Sequence, residues 1–193
     1  SQLNGELQIL NQLNSWISKD SFPLPLRQLW LNALALSRDI RIQSGLNEDS
    51  RNIANIVFSD LKKRTKFSGK MKIIVVGTGK IAQLIASACP PNTQLYIVAG
   101  KNFSKAAVLA NQFNASAIAI RDLAKLLPAA DVLLSATTSP HYVLKKEHFQ
   151  NVGKRSLPLF IYDLAMPRDV EPGVQNIPGV FLQDLEGLKG LFY

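Results

Sequence analysis

A chain of 193 residues with 47% hydrophobic and 19% charged side chains can bury a proper core, which excludes a disordered polymer. Its formal charge of +8 favours anionic ligands and polyanionic partners and says nothing about fold. The one cysteine, Cys89, excludes an internal disulfide; no basic leader and no span-length apolar run is present, so a soluble cytoplasmic protein is expected.

Residues 1–66 read as a helical segment. Leu3, Leu7, Ile9, Leu10, Leu13, Trp16 and Ile17 keep an apolar stripe at helical spacing, and Phe22-Pro23-Leu24-Pro25 breaks that helix. A second helix carries Leu26, Leu29, Trp30, Ala33, Leu34 and Leu36, and this leucine and aromatic stripe reads as core. Asn47-Glu48-Asp49-Ser50 offers a capped acidic start to a third helix. That helix turns Ile53, Ile56, Val57 and Leu61 inward and ends in Lys62, Lys63 and Arg64. The basic run to Lys66 has two readings, a solvated helix end or an RNA-facing patch; the lack of interleaved aromatics favours the first.

From Met71 the pattern alternates strand and helix, which predicts a parallel sheet with right-handed crossovers. Strands are expected at Met71 to Val76, Gln94 to Ala99, Ala117 to Ile120, Asp131 to Ala136, Leu159 to Asp163 and Val180 to Leu182. Helices are expected at Lys80 to Ala88, Ser104 to Phe113, Arg121 to Leu127 (stopping at Pro128) and from Asp184 onward.

The first strand runs into Gly77-x-Gly79-x-x-Ala82. Gly77 permits a tight turn, Gly79 lets the backbone approach a pyrophosphate, and Ala82 lets the next helix press on the strand. Amide groups at that helix start, with the helix dipole, favour an anion. The fold class is therefore α/β, a Rossmann-type doubly wound parallel sheet over residues 67–183, after the N-terminal helical segment and before the start of a C-terminal helix at 184–193. Gly77, Thr78, Gly79, Lys80 and Ile81 form the first group of candidate cofactor residues.

Ligands of such sheets lie beyond the carboxyl ends of the strands. The second strand ends in Gly100-Lys101-Asn102, with no carboxylate to hold ribose hydroxyls and a lysine able to pair with a 2′-phosphate, which points to NADP. The fourth ends in Ala136-Thr137-Thr138, where small and hydroxyl residues either admit a dinucleotide or simply make a Ser/Thr-Pro turn. Met166 and Pro167 after the fifth strand complete the candidate set, and Arg168 with Asp169 reads as an ion pair. His141 and His148 read as surface residues, and no metal site or catalytic residue is expected in this chain.

Five stretches together resemble glutamyl-tRNA reductase. They are Gly5 to Gln12; Ala33 to Ser44 with Arg38 and Arg41; the glycine loop; Gly100 to Ala106, where Lys101 replaces an arginine; and Ile161 to Pro172, close to the family's "IDIAvPRDIeP". The resemblance implies an NADPH-dependent oxidoreductase of tetrapyrrole synthesis, in which a cysteine forms a thioester that hydride then reduces. Cys89 does not match that cysteine; it lies ten residues past Gly79, about 15 Å away at helical rise. The chain thus resembles the NADPH-binding domain with part of the catalytic domain, and alone is expected to be inactive. NADPH is the implied partner, with tRNA engaged through the full-length enzyme and a homodimer only where the family's C-terminal helix is present. A dehydrogenase of shikimate or precorrin-2 type, or a non-catalytic NADPH-sensing paralogue, stays open as an alternative.

Overall fold

The computed structural model describes residues 15–16, 24–43, 53–65, 70–100, 102–153 and 155–189. The chain divides into two compact units, residues 1–55 and 56–193. The first helix expected from Leu3 to Ile17 and the capping stretch at Asn47 to Ser50 lie essentially outside the described residues.

Helix α1 spans Leu24–Gln43. Pro25 sits in its first turn, where the amide that proline lacks has no helical partner anyway. Of its stripe, Leu26, Leu29, Trp30, Ala33 and Leu36 are exposed rather than core.

The second unit carries a six-stranded sheet in the order β3-β2-β1-β4-β5-β6, with every neighbouring pair parallel. The strands are β1 Lys72–Val76, β2 Gln94–Ala99, β3 Ser116–Ala119, β4 Val132–Ser135, β5 Leu159–Asp163 and β6 Val180–Asp184. Helices α2 Ile53–Arg64, α3 Lys80–Ala88, α4 Phe103–Gln112, α5 Leu123–Leu126 and α6 Leu185–Lys189 complete it. Pro128 does not end α5; it opens a 3₁₀ turn, Leu127–Ala129, which closes the segment. Asp184 belongs to β6, paired with Asp163, rather than to the last helix.

Parallel strands covered on both faces should be apolar throughout, and β1, β4 and β5 are buried at nearly every position. Alternate residues serve different faces. Ile74, Val76, Leu133, Leu159 and Ile161 pack with Leu123, Leu127, Leu144, Phe149, Val170 and Val174 in one cluster. On the opposite face α2 is tied to β5 by a polar contact: the buried Tyr162 hydroxyl donates to Asp60 at 2.9 Å. Asp60 also accepts from Arg64 Nε at 2.7 Å, and Arg64 lies 4.5 Å above the Phe181 ring. One member of the basic run is therefore structural, while Lys62 and Lys63 are exposed. Burial, then the hydrogen bond to Asp60, pushes the Tyr162 hydroxyl far above its ordinary range, so it remains a donor. Tyr162→Phe is expected to cost ~1 kcal/mol, the usual net worth of one such bond, while Arg64 keeps Asp60 partnered. An unchanged urea midpoint would contradict the tie.

Candidate functional site

The strand order reverses between β1 and β4, and the crevice of such a sheet opens beyond the carboxyl ends of those two strands. Three amides carry the ladder one residue further and fix its rim. Gly77 donates to Val98 O at 2.9 Å, Ala136 to Val76 O at 2.9 Å and Leu164 to Ser135 O at 2.8 Å.

At this rim the two loop glycines differ. Gly77 is buried with φ +123°, and a Cβ there would meet Ala136 O at 2.5 Å. It is needed for the turn against β4. Gly79 is extended backbone at φ −79°, and a Cβ there would meet nothing within 4 Å. It also occupies the N-cap of α3 with no side-chain cap, so the first amides of that helix keep no internal partner. Open space over a glycine, in front of uncapped amides, is a cradle for an anion. Ala82, the third small residue, is fully buried. Thr78 and Ile81 are half-buried and Lys80 is exposed beside them.

At the end of β2, Gly100 is exposed and Lys101 lies outside the described residues. Asn102 caps α4: its side-chain oxygen accepts from the Lys105 amide at 3.4 Å and from Ser104 Oγ at 3.3 Å. Its acceptor is thus held by the helix start.

The loops after β4 and β5 are built around two buried carboxylates that the sequence reading missed. Asp169 accepts from Ser135 Oγ at 2.7 Å, from the Thr137 amide at 2.9 Å and from Thr137 Oγ1 at 2.5 Å. The Thr137 hydroxyl is therefore committed to holding its loop, Ala136 is buried, and Thr138 is exposed beside them. Asp163, at the end of β5, accepts amides from Ala165 at 3.2 Å, Asp169 at 3.2 Å and Val170 at 3.0 Å. Burial pushes the Asp163 carboxyl up and the three amides pull it back.

The expected Arg168/Asp169 ion pair does not form. Arg168 turns instead to Asp163 (3.6 Å) and Asp184 (3.2 Å), while Asp169 points into the β4 loop. Met166 and Pro167, joined by a cis peptide bond, are exposed at the same rim. Cys89 stands at the far end of α3, and burial pushes its thiol up to about 12, unlike a nucleophile held as thiolate.

Residues 59–191 match the family model described as shikimate / quinate 5-dehydrogenase. The chain belongs to this dehydrogenase family. Over 99% of its length it is also 29% identical to the glutamyl-tRNA reductase of Carboxydothermus hydrogenoformans, of which it covers 44%. Among solved structures it is similar to the glutamyl-tRNA reductase of Methanopyrus kandleri, with TM-score 0.67 and 23% identity over 100% of this chain and 50% of that one. The nucleotide-binding domain of the Thermoplasma volcanium enzyme gives 0.57 and 21%, over 73% of this chain and 91% of that one. The resemblance to glutamyl-tRNA reductase therefore holds across the whole sequence, and the Rossmann-type fold of the dehydrogenase family with it. The chain spans about half the length of the curated relatives it matches. Among the described residues no helix is long and apolar enough to cross a membrane.

Proposed function

We propose that this dehydrogenase-family chain is the NADPH-binding module of a glutamyl-tRNA reductase, the enzyme reducing tRNA-bound glutamate to glutamate 1-semialdehyde for tetrapyrrole synthesis. The observation that carries it is the open space over Gly79 before the uncapped start of α3, at the strand-order reversal of a chain similar to these reductases over 99% of its length. The cradle fits a dinucleotide. Gly77, Thr78, Gly79, Lys80 and Ile81 take its pyrophosphate; Gly100, Lys101 and Asn102 take the adenosine ribose; Ala136, Thr137, Thr138, Met166 and Pro167 take the remaining half. Bound there, NADPH supplies hydride, and this chain's own residues hold and aim it.

Residues 67–183 are the cofactor domain, 1–66 the remnant of a catalytic domain with its linker helix, and 184–193 the start of a C-terminal helix. The thioester-forming cysteine comes from outside these residues, because Cys89 is half-buried, with its thiol pushed up, at the wrong end of α3. The purified 193-residue chain is expected to show no reduction of glutamyl-tRNA. Turnover sensitive to alkylation of Cys89 would overturn that assignment. tRNA is met through the longer enzyme, a homodimer forms only with the family's C-terminal helix, and the compartment is the cytoplasm. A second reading, a dehydrogenase acting on shikimate itself, has the family model in its favour and is separated by assaying shikimate oxidation with NADP.

Lys101 sets the cofactor preference in this reading. A lysine gains a charge-assisted contact with the 2′-phosphate and little from a bare hydroxyl. Lys101→Ala is expected to erase most of the preference for NADPH while leaving NADH affinity nearly unchanged, and Lys101→Asp to reverse it. Titration of each variant with both nucleotides checks this; an unaltered preference in Lys101→Asp removes Lys101 from the site.

A further inference from the structure

Beyond the ends of β4 and β5 lies a cavity of about 460 Å³, lined by Pro140, His141, Tyr142, Lys145, Pro167 and Arg168. Only Pro167 is shared with the residues assigned above to the cofactor. Three of the six lining side chains carry basic nitrogens and none is acidic. The charges are not equivalent. Arg168 is already held by Asp163 and Asp184. Lys145 has no carboxylate partner among the described residues. Residue 141 makes its hydrogen bonds with Ser139 through backbone atoms, which leaves the imidazole to the cavity. Uncompensated positive charge and ring donors therefore converge on one space between two proline walls.

That space is also preformed. The Val143 and Leu144 amides donate to Asp169 O at 2.8 and 2.9 Å, and the Glu171 amide returns a bond to Leu144 O at 2.9 Å. The wall bearing Lys145 is thus fastened by backbone bonds to the wall bearing Arg168. A preformed cavity with a few convergent donors and no carboxylate in its lining suits an oxyanion.

We propose that this cavity is an oxyanion pocket, separate from the dinucleotide site, which takes a carboxylate or phosphate group of the molecule that receives the hydride. The oxyanion assignment stands on the cavity itself; the link to hydride transfer rests on the function proposed above. Lys145 supplies the attraction, the His141 imidazole and Tyr142 hydroxyl supply further hydrogen bonds, and Arg168 closes the wall.

The test is a titration of the full chain with inorganic phosphate, with and without saturating NADPH. It is read at the imidazole resonance of His141, assigned by its loss in His141→Gln. A saturable shift is expected in both conditions. Its midpoint should rise about tenfold in Lys145→Glu and a few-fold in Lys145→Gln, with thermal unfolding unchanged because Lys145 is exposed. Parallel titrations with glutarate and with AMP separate a carboxylate source from a nucleotide phosphate, and the tighter binder names the ligand class. No saturable shift in the wild type, equal midpoints in wild type and Lys145→Glu, or loss of the phosphate response once NADPH is bound would each overturn the pocket. A chain that binds phosphate at His141 but not NADPH retains the pocket and removes the proposed function; the reverse result removes the pocket alone.

Discussion

Gly79→Val is expected to weaken dinucleotide binding by more than about a hundredfold while the fold survives. Inside the protein the added side chain meets nothing, since no atom lies within 4 Å of a Cβ at that position. The extended backbone at φ −79° suits any residue. Only the N-cap preference opposes valine there, at ~1 kcal/mol. What the side chain does occupy is the space before the amides of α3, where the pyrophosphate belongs. Gly77→Ala behaves in the opposite way. Its φ of +123° is glycine territory, and the new methyl would sit 2.5 Å from Ala136 O, so β1 and β4 must part. A loss of ~2–4 kcal/mol in stability is expected. Calorimetric titration with NADPH beside thermal unfolding separates the pair. Wild-type affinity in Gly79→Val, or wild-type stability in Gly77→Ala, would contradict the division of labour between the two glycines.

Asp169→Ala is the second large effect, and it acts on the fold first. The carboxylate is fully buried and satisfies the Ser135 hydroxyl with the amide and hydroxyl of Thr137. Hydrogen bonds to a charged group contribute ~1.5–3 kcal/mol each, and stranded donors cost further. Because Ser135 is also fully buried, water cannot take over there, and a total loss of ~3–5 kcal/mol is expected. Asp169→Asn keeps one acceptor oxygen and should fall between. The loop of Ala136, Thr137 and Thr138 loses its anchor at the same time, so NADPH affinity should drop even at temperatures where the variant stays folded. Urea unfolding of both variants checks the order. A loss below about 1 kcal/mol in Asp169→Ala would show that the carboxylate does not hold the two loops together.

The sheet was legible because its strands are apolar runs bounded by turn residues. Gln94–Ala99, Leu159–Asp163 and helix Lys80–Ala88 fall where the pattern put them. The glycine loop was legible because each small residue has a steric reason, although the atom that excludes a side chain at Gly77 is Ala136 O, just past β4 and 59 residues away in sequence. Partnerships across such distances leave no periodic trace. Asp169 sits beside Arg168, and adjacency suggested a pair; in the structure the two side chains diverge, one to Ser135 and Thr137, the other to Asp163 and Asp184. One signal was available: a carboxylate at or close after the end of a fully buried strand is exposed to burial, and a buried carboxylate must find donors. The stripe of α1 failed for another reason. Periodicity tells which face is apolar, and it does not tell whether anything covers that face.

Whether this chain is an NADPH module is tested most directly by titrating the wild-type protein with NADPH and NADH under the same conditions. One saturable site is expected for NADPH. The contact of a cationic side chain with the 2′-phosphate, worth ~1.5–3 kcal/mol, sets the preference over NADH at about ten- to a hundredfold. Equal affinities for the two nucleotides, or no binding of either by a folded chain, would contradict it.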